Sequence, residues 1–188
     1  EQYAAISIPV LTTTGYYDGS QISALQYFKL HTLYNPRAEH YLVIGPYDHH
    51  GAQKTPGGEL MGYAIDPVAR IGMRELAFQW LDYILKGAEK PKILADKINY
   101  QVMSTNQWRH APTLDAMNDG ALTLYLASGG MSLSGVRPVT AAYASQIVDM
   151  AERSTQNNYF TPVIINEELD ASNGLIYLGA PAESAYSI

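Results

Sequence analysis

Two short stretches carry side chains that could do chemistry together. Asp18 follows Gly15-Tyr16-Tyr17, and Asp48-His49-His50 follows Gly45-Pro46-Tyr47. Each comes directly after a β-rich run, and in an open sheet of alternating strands and helices the working residues cluster just past the carboxyl ends of the strands. A carboxylate and an imidazole on adjacent strand ends can meet. The carboxylate then fixes the tautomer of the imidazole and stabilises its protonated form, which is the orienting half of a nucleophilic triad. Other readings of the same residues stand beside this one. An Asp after a strand commonly closes a turn or caps a helix. Adjacent histidines in a loop are commonly just solvated, and Asp48-His49-His50 would also serve as part of a metal site. His31, His40 and His110 show no spacing that would complete such a site, and no metal or other cofactor is expected.

The elements that must position these residues alternate in the first half. Ser7 to Thr14 reads as a strand stopped by Gly15. A helix over about Ser20 to Tyr34 follows, with Ile22, Leu25, Phe28 and Leu30 as its apolar contacts, ending before Asn35-Pro36 because proline disfavours a helical predecessor. His40 to Ile44 is apolar almost throughout, as in a strand buried on both faces. Strand, helix, strand in that order predicts a parallel α/β sheet. After a glycine- and proline-rich loop (Gly51 to Gly62), Asp66-Pro67 has the chemistry of a helix start. Ala69, Met73, Leu76, Ala77, Trp80, Leu81 and Ile84 then make one stripe, and Gly87 stands where a C-cap glycine belongs.

Past Pro91 the period changes to two. Ile98, Tyr100 and Val102 alternate with their neighbours, as do Leu122, Leu124 and Leu126, and the runs Thr161 to Ile165 and Leu175 to Leu178 are also strand-like. Strands without intervening helices predict a β-sandwich or part of one, with a boundary near residues 87 to 97.

Composition narrows the classes further. Of 188 residues, 47% are hydrophobic and 16% charged, which supports a core and excludes wholesale disorder. The net charge of −6 argues against a nucleic-acid binder, which needs a basic face to release phosphate counterions. No apolar run approaches membrane-spanning length. With no cysteine, a disulfide scaffold, thiolate-bound zinc and a thiol nucleophile are excluded, while the compartment stays open between cytoplasmic and secreted; no signal peptide is visible at Glu1. Fifteen tyrosines against three phenylalanines suit half-wet surfaces.

Taken in order, five segments resemble the cocaine esterase and Xaa-Pro dipeptidyl-peptidase group of α/β-hydrolases, which includes glutaryl-7-aminocephalosporanic acid acylases and α-amino acid ester hydrolases. They are IPVLTTTGYYDG (Ile8 to Gly19), YLVIGPYDHHG (Tyr41 to Gly51), AFQWLDYILKG (Ala77 to Gly87), INYQVMSTNQWRHAPT (Ile98 to Thr113) and LTLYLASGGMSL (Leu122 to Leu133). Tyr47 stands where the group usually has tryptophan. The resemblance implies the C-terminal part of an α/β-hydrolase sheet over residues 1–90, followed by an incomplete jelly-roll β-sandwich over 91–188. It implies Asp18 as the triad acid and His49 as the base, with His50 the alternative if the register shifts by one. Tyr17 and Tyr47 become substrate-pocket candidates. The chain order, acid then base, is that of α/β-hydrolases, whose nucleophilic serine lies upstream.

That serine has no counterpart here. Gly-x-Ser-x-Gly is absent, and Ser132 and Ser134 sit in Gly-Gly-Met-Ser-Leu-Ser-Gly, which fails the spacing and reads as a polar hairpin. The expectation is therefore a fragment of a serine hydrolase that cleaves acyl esters or amides through an acyl-enzyme. Its partners would be a small ester, amide or peptide substrate and the upstream half of the same enzyme. By itself it is expected to be inactive and to expose a sheet edge; a second copy of the chain is a further candidate partner. The alternative from another class is a non-catalytic module that binds carbohydrate, peptide or a protein partner.

Overall fold

Strand β1 (Val10–Gly15), helix α1 (Gln21–Tyr34) and strand β2 (His40–Gly45) follow one another as a strand–helix–strand unit. β1 and β2 run parallel in a register that pairs Val10 with His40 and Gly15 with Gly45, so the two strands end level. In the computed structural model, residues 2–118, 120–127, 131–147, 151 and 174–181 are described. A two-residue ribbon follows, β3 (Glu59–Leu60) with β4 (Tyr63–Ala64), then helix α2 (Met73–Lys86) and the hairpin β5 (Ile98–Val102) and β6 (Gln107–Ala111). The main sheet is mixed, in the order β1-β2-β5-β6, with β5 parallel to β2 and β6 antiparallel to β5.

β2 is central, and all six of its residues are buried. That is why it is apolar almost throughout: a strand covered on both faces has no solvent side to alternate with. Phe28 from α1 packs with Leu42, Ile98 and Ala111, joined at the margin by Leu25, Tyr100, Leu114 and Met117. Ile22, expected among the contacts of α1, points outward at 81% exposure.

The expected boundary near residues 87 to 97 is not where the chain divides. The compact units are residues 1–119 and 120–188, and β5 and β6 belong to the first. A period of two identifies a strand but does not say which sheet it joins. Here β5 finds its place by pairing with β2, Leu42 against Ile98. Being interior, β5 also buries the residues its alternation marks as polar. Asn99 donates to the carbonyls of Leu42 (3.2 Å) and Asp96 (2.8 Å), and Gln101 donates to Asp66 Oδ2 (2.7 Å).

α2 stops as expected at Gly87, which takes the left-handed conformation (φ 69°). Its start differs. Asp66-Pro67 opens a single 3-10 turn, Pro67–Ala69, and the helix begins only at Met73. The Asp66 carboxylate is occupied by Tyr63 Oη (3.2 Å) and the Gln101 amide, so it ties this segment to β5 instead of capping a helix. Of the stripe, Met73 and Leu76 are buried and Leu81 is exposed.

A buried histidine pair fastens the start of the chain to the sheet. His31 Nε2 donates to Ile6 O (3.2 Å), so its Nδ1 carries the lone pair and accepts from His40 Nδ1–H at 3.0 Å. His40 Nε2 in turn accepts from the Thr12 hydroxyl (2.7 Å). Every ring nitrogen is satisfied while both rings are neutral. Burial, then the neighbouring His31 and Lys97, push the His40 pKa down to about 4. An unfolded histidine titrates near 6.5, so on acidification the unfolded chain takes up this proton first. The contribution of neutral His40 is fully present above about pH 6.5 and is lost as pH falls toward 4. Between pH 7 and 5 it is expected to remove about 2 kcal/mol of stability. Urea unfolding at the two pH values checks this: His40→Gln should flatten the slope, and equal slopes would refute the assignment.

In the second unit, β7 (Tyr125–Ala127) pairs antiparallel with β8 (Ser132–Ser134), and Leu178 bridges to Ser132. Leu122, Leu124 and Leu126 are exposed, while Tyr125 and Ala127 are half-buried. The strand expected over Thr161 to Ile165 lies outside the described residues.

Candidate active site

The level ends of β1 and β2 bring their two following turns side by side. Tyr16 N–H donates to Gly45 O (2.9 Å) and Tyr17 N–H to Tyr47 O (3.1 Å), which stitches the turns together. The approach is so close that a Cβ on Gly15 would lie 1.9 Å from Tyr47 O, and one on Gly45 2.6 Å from the Tyr47 ring. The glycines in Gly-Tyr-Tyr-Asp and Gly-Pro-Tyr are therefore there for room. The Tyr47 side chain turns inward, 1% exposed, and its hydroxyl donates to Ala69 O at 2.7 Å. Burial, then the nearby Tyr16, raise its pKa far above the usual tyrosine range.

This close stitching sets the geometry of Asp18 and His49. Asp18 Oδ1 accepts from His49 Nδ1 at 3.0 Å and from Ser20 N–H at 2.8 Å, while the buried Thr14 hydroxyl donates to Oδ2 at 3.2 Å. Burial alone would raise the carboxyl pKa. The Ser20 N–H, the hydrogen bonds from His49 and Thr14 and the charge of His49 together outweigh it and hold Asp18 below its ordinary value. Asp18 is thus ionised wherever a histidine titrates. It also caps the turn into α1 through Ser20, so the turn reading and the site reading describe one carboxylate.

An ionised carboxylate only accepts, so neutral His49 carries its proton on Nδ1 and its lone pair on Nε2. The His49 side chain is 59% exposed. The Asp18 side chain that holds it is 5% exposed, so a buried carboxylate orients an imidazole that is open to solvent. His50 does not reach Asp18. Its ring stands edge-on to His49 with centroids 6.2 Å apart, and it lines a hollow of about 190 Å³ with Pro46, Asp48, Lys54 and Ile65. That hollow is smaller than the usual small-molecule pocket, about 300 Å³ or more.

Of the two tyrosines read as pocket candidates, Tyr47 is packed under the turn, and Tyr17 is 37% exposed with its hydroxyl 3.8 Å from Met103 Sδ. His31 and His40 pair with each other, and His110 Nδ1 lies 2.8 Å from Asn99 Oδ1. Among the described residues no three His, Asp or Glu side chains are grouped to hold a metal. Ser132 and Ser134 lie on the β7–β8 hairpin of the second unit, where Ser134 Oγ accepts from Val136 N–H (3.0 Å).

One contact of the site escaped the sequence reading. Gln53 Nε2 lies 2.9 Å from His49 Nε2. Spacing by four is the available signal, but it speaks only if residues 48–54 coil, and a stretch running into glycine and proline reads as open loop.

An α/β unit with a mixed sheet, bearing a carboxylate–imidazole pair at the level ends of two parallel strands, is the class these residues define. Its fold is similar to that of an aminopeptidase from the marine sediment archaeon Thaumarchaeota archaeon, with a TM-score of 0.56 and 21% identity. The similarity covers 77% of this chain and 22% of that one, so the chain spans about a fifth of the aminopeptidase. No family model matches the chain, and no curated protein does. No helix among the described residues is long and apolar enough to cross a membrane.

Proposed function

We propose that this chain supplies the acid and base of a serine hydrolase that cleaves an acyl ester or amide through an acyl-enzyme. The observation that carries the reading is the 3.0 Å contact of Asp18 Oδ1 with His49 Nδ1, braced by Ser20 N–H and the Thr14 hydroxyl. Asp18 is the triad acid and His49 the base. The contact with Asp18 favours His49 over His50 as that base. Tyr17, exposed beside the site, remains the substrate-contact candidate; Tyr47 serves by wedging the two turns.

The nucleophile is a serine from outside these 188 residues. Its proton passes to His49 Nε2 as Oγ attacks the carbonyl carbon, and Asp18 stabilises the imidazolium. Nε2–H then protonates the departing amine or alkoxide. Water repeats the sequence on the acyl-enzyme and restores neutral His49. A peptide amide is the favoured substrate, in line with the aminopeptidase fold neighbour, and the second unit is proposed as part of a jelly roll.

Labelling with a fluorophosphonate, which captures an activated serine with loss of fluoride, tests the reading in the natural full-length protein. Labelling should be retained in His50→Ala and lost in His49→Ala. Equal labelling of wild type and His49→Ala would overturn it.

A further inference from the structure

The residues around His49 Nε2 assign a task to Gln53. Resting on the acid–base reading above, we propose that Gln53 is a positioning residue that holds His49 Nε2 between turnovers and competes with the serine hydroxyl for it.

The geometry begins with the turn itself. Ala52 N–H donates to Asp48 O (3.0 Å), Gln53 N–H and Lys54 N–H both donate to His50 O (3.1 Å each), and Gly51 N–H donates to Asp48 Oδ1 (2.7 Å). This coiling puts residue 53 above residue 49. The turn is fixed at two further points: Thr13 Oγ1 donates to Ala52 O (2.8 Å), and Met73 N–H, at the start of α2, to Lys54 O (3.3 Å). Gln53 is therefore held in place by backbone contacts, although its side chain is exposed.

Because Asp18 fixes the proton on Nδ1, the Nε2 lone pair must be met by a donor, and the Gln53 amide at 2.9 Å is that donor. The titratable groups facing His49 among the described residues are Asp18, from the turn after β1, and His50, beside it in its own turn. Asp48 turns its carboxylate to Gly51 N–H. His49 is thus gripped at both nitrogens: by a carboxylate on the side that sets its orientation, and by a neutral amide on the side that does the chemistry. A neutral amide can also rotate and offer its oxygen to Nε2–H once the ring is protonated. It therefore follows the ring through both states without trapping either. A carboxylate at this position could only accept, and would favour the imidazolium.

Two measurements on the natural full-length protein test this. Diethyl pyrocarbonate acylates an unprotonated imidazole nitrogen, and its rate at His49 can be followed by peptide mass. Removing one neutral hydrogen bond from the lone pair in Gln53→Ala should raise that rate about fivefold. In Gln53→Glu the acid limb of kcat/KM should move to higher pH by about half a unit to one unit. A residue that only supported the turn would move neither. An unchanged acylation rate in Gln53→Ala, or an unmoved limb in Gln53→Glu, overturns the proposal. The acylation rate does not depend on turnover, so a failure of the hydrolase reading, seen as full hydrolysis by His49→Ala, is separable from a failure of Gln53 to hold Nε2.

Discussion

In the natural full-length protein, Asp18→Asn is expected to lower kcat/KM for a simple ester by about 10⁴-fold while leaving the fold in place. Ser20 N–H and His49 Nδ1 share the Oδ1 position. With its oxygen there the amide keeps the turn into α1 but brings no charge to stabilise the imidazolium; with its NH₂ there it gives up the Ser20 bond and selects the tautomer with the proton on Nε2, which removes the base. His49→Ala should cost at least as much. Residues that act as a unit are not additive, so the double variant should be little worse than His49→Ala alone. His49 is the cleaner target for stability, being 59% exposed, whereas the Asp18 side chain is 5% exposed and also holds Ser20 N–H and the Thr14 hydroxyl. Kinetics of the two single variants and the double variant, with urea unfolding as the control, decide it. Losses smaller than tenfold, or losses that multiply, would show that Asp18 and His49 do not work together.

Gly15→Ala is expected to destabilise the protein by about 3 kcal/mol or more, near the upper end for a small-to-large change. The added methyl would stand 1.9 Å from Tyr47 O and 2.5 Å from Tyr47 C, both backbone atoms that no rotamer change can move. The turn carrying His49 must shift away from the turn carrying Asp18. The bond from Tyr17 N–H to Tyr47 O then breaks, and stability and the acid–base contact fall together. Gly19→Ala is the control, since nothing lies within 4 Å of a Cβ there. It should be neutral or slightly stabilising, through a less flexible unfolded chain. Urea midpoints compare the two, and a Gly15→Ala midpoint equal to that of Gly19→Ala would refute the argument.

The local elements were legible wherever one short stretch holds all of their causes. β2 shows its double burial in a nearly unbroken apolar run, α1 its end in Asn35-Pro36, and α2 its end in Gly87. The start of α2 was not legible, because the side chain that would cap it is claimed by Gln101, 35 positions along the chain. The affiliation of β5 and β6 was hidden for the same reason: alternation reports one covered face, whereas membership of a sheet depends on which distant strand supplies the hydrogen bonds. Asn99 and Gln101 follow from that, polar by pattern and buried by pairing.

The types and order of Asp18 and His49, each placed just past a strand, were set by the sequence alone, as were the glycines ahead of them. Those features are local, and backbone sterics and strand propensity act over a few residues. Which of the two histidines meets the Asp18 carboxylate, and the inward turn of Tyr47, belong to the tertiary structure. Each depends on the parallel register that sets Gly15 beside Gly45, and with it on contacts between residues some thirty positions apart.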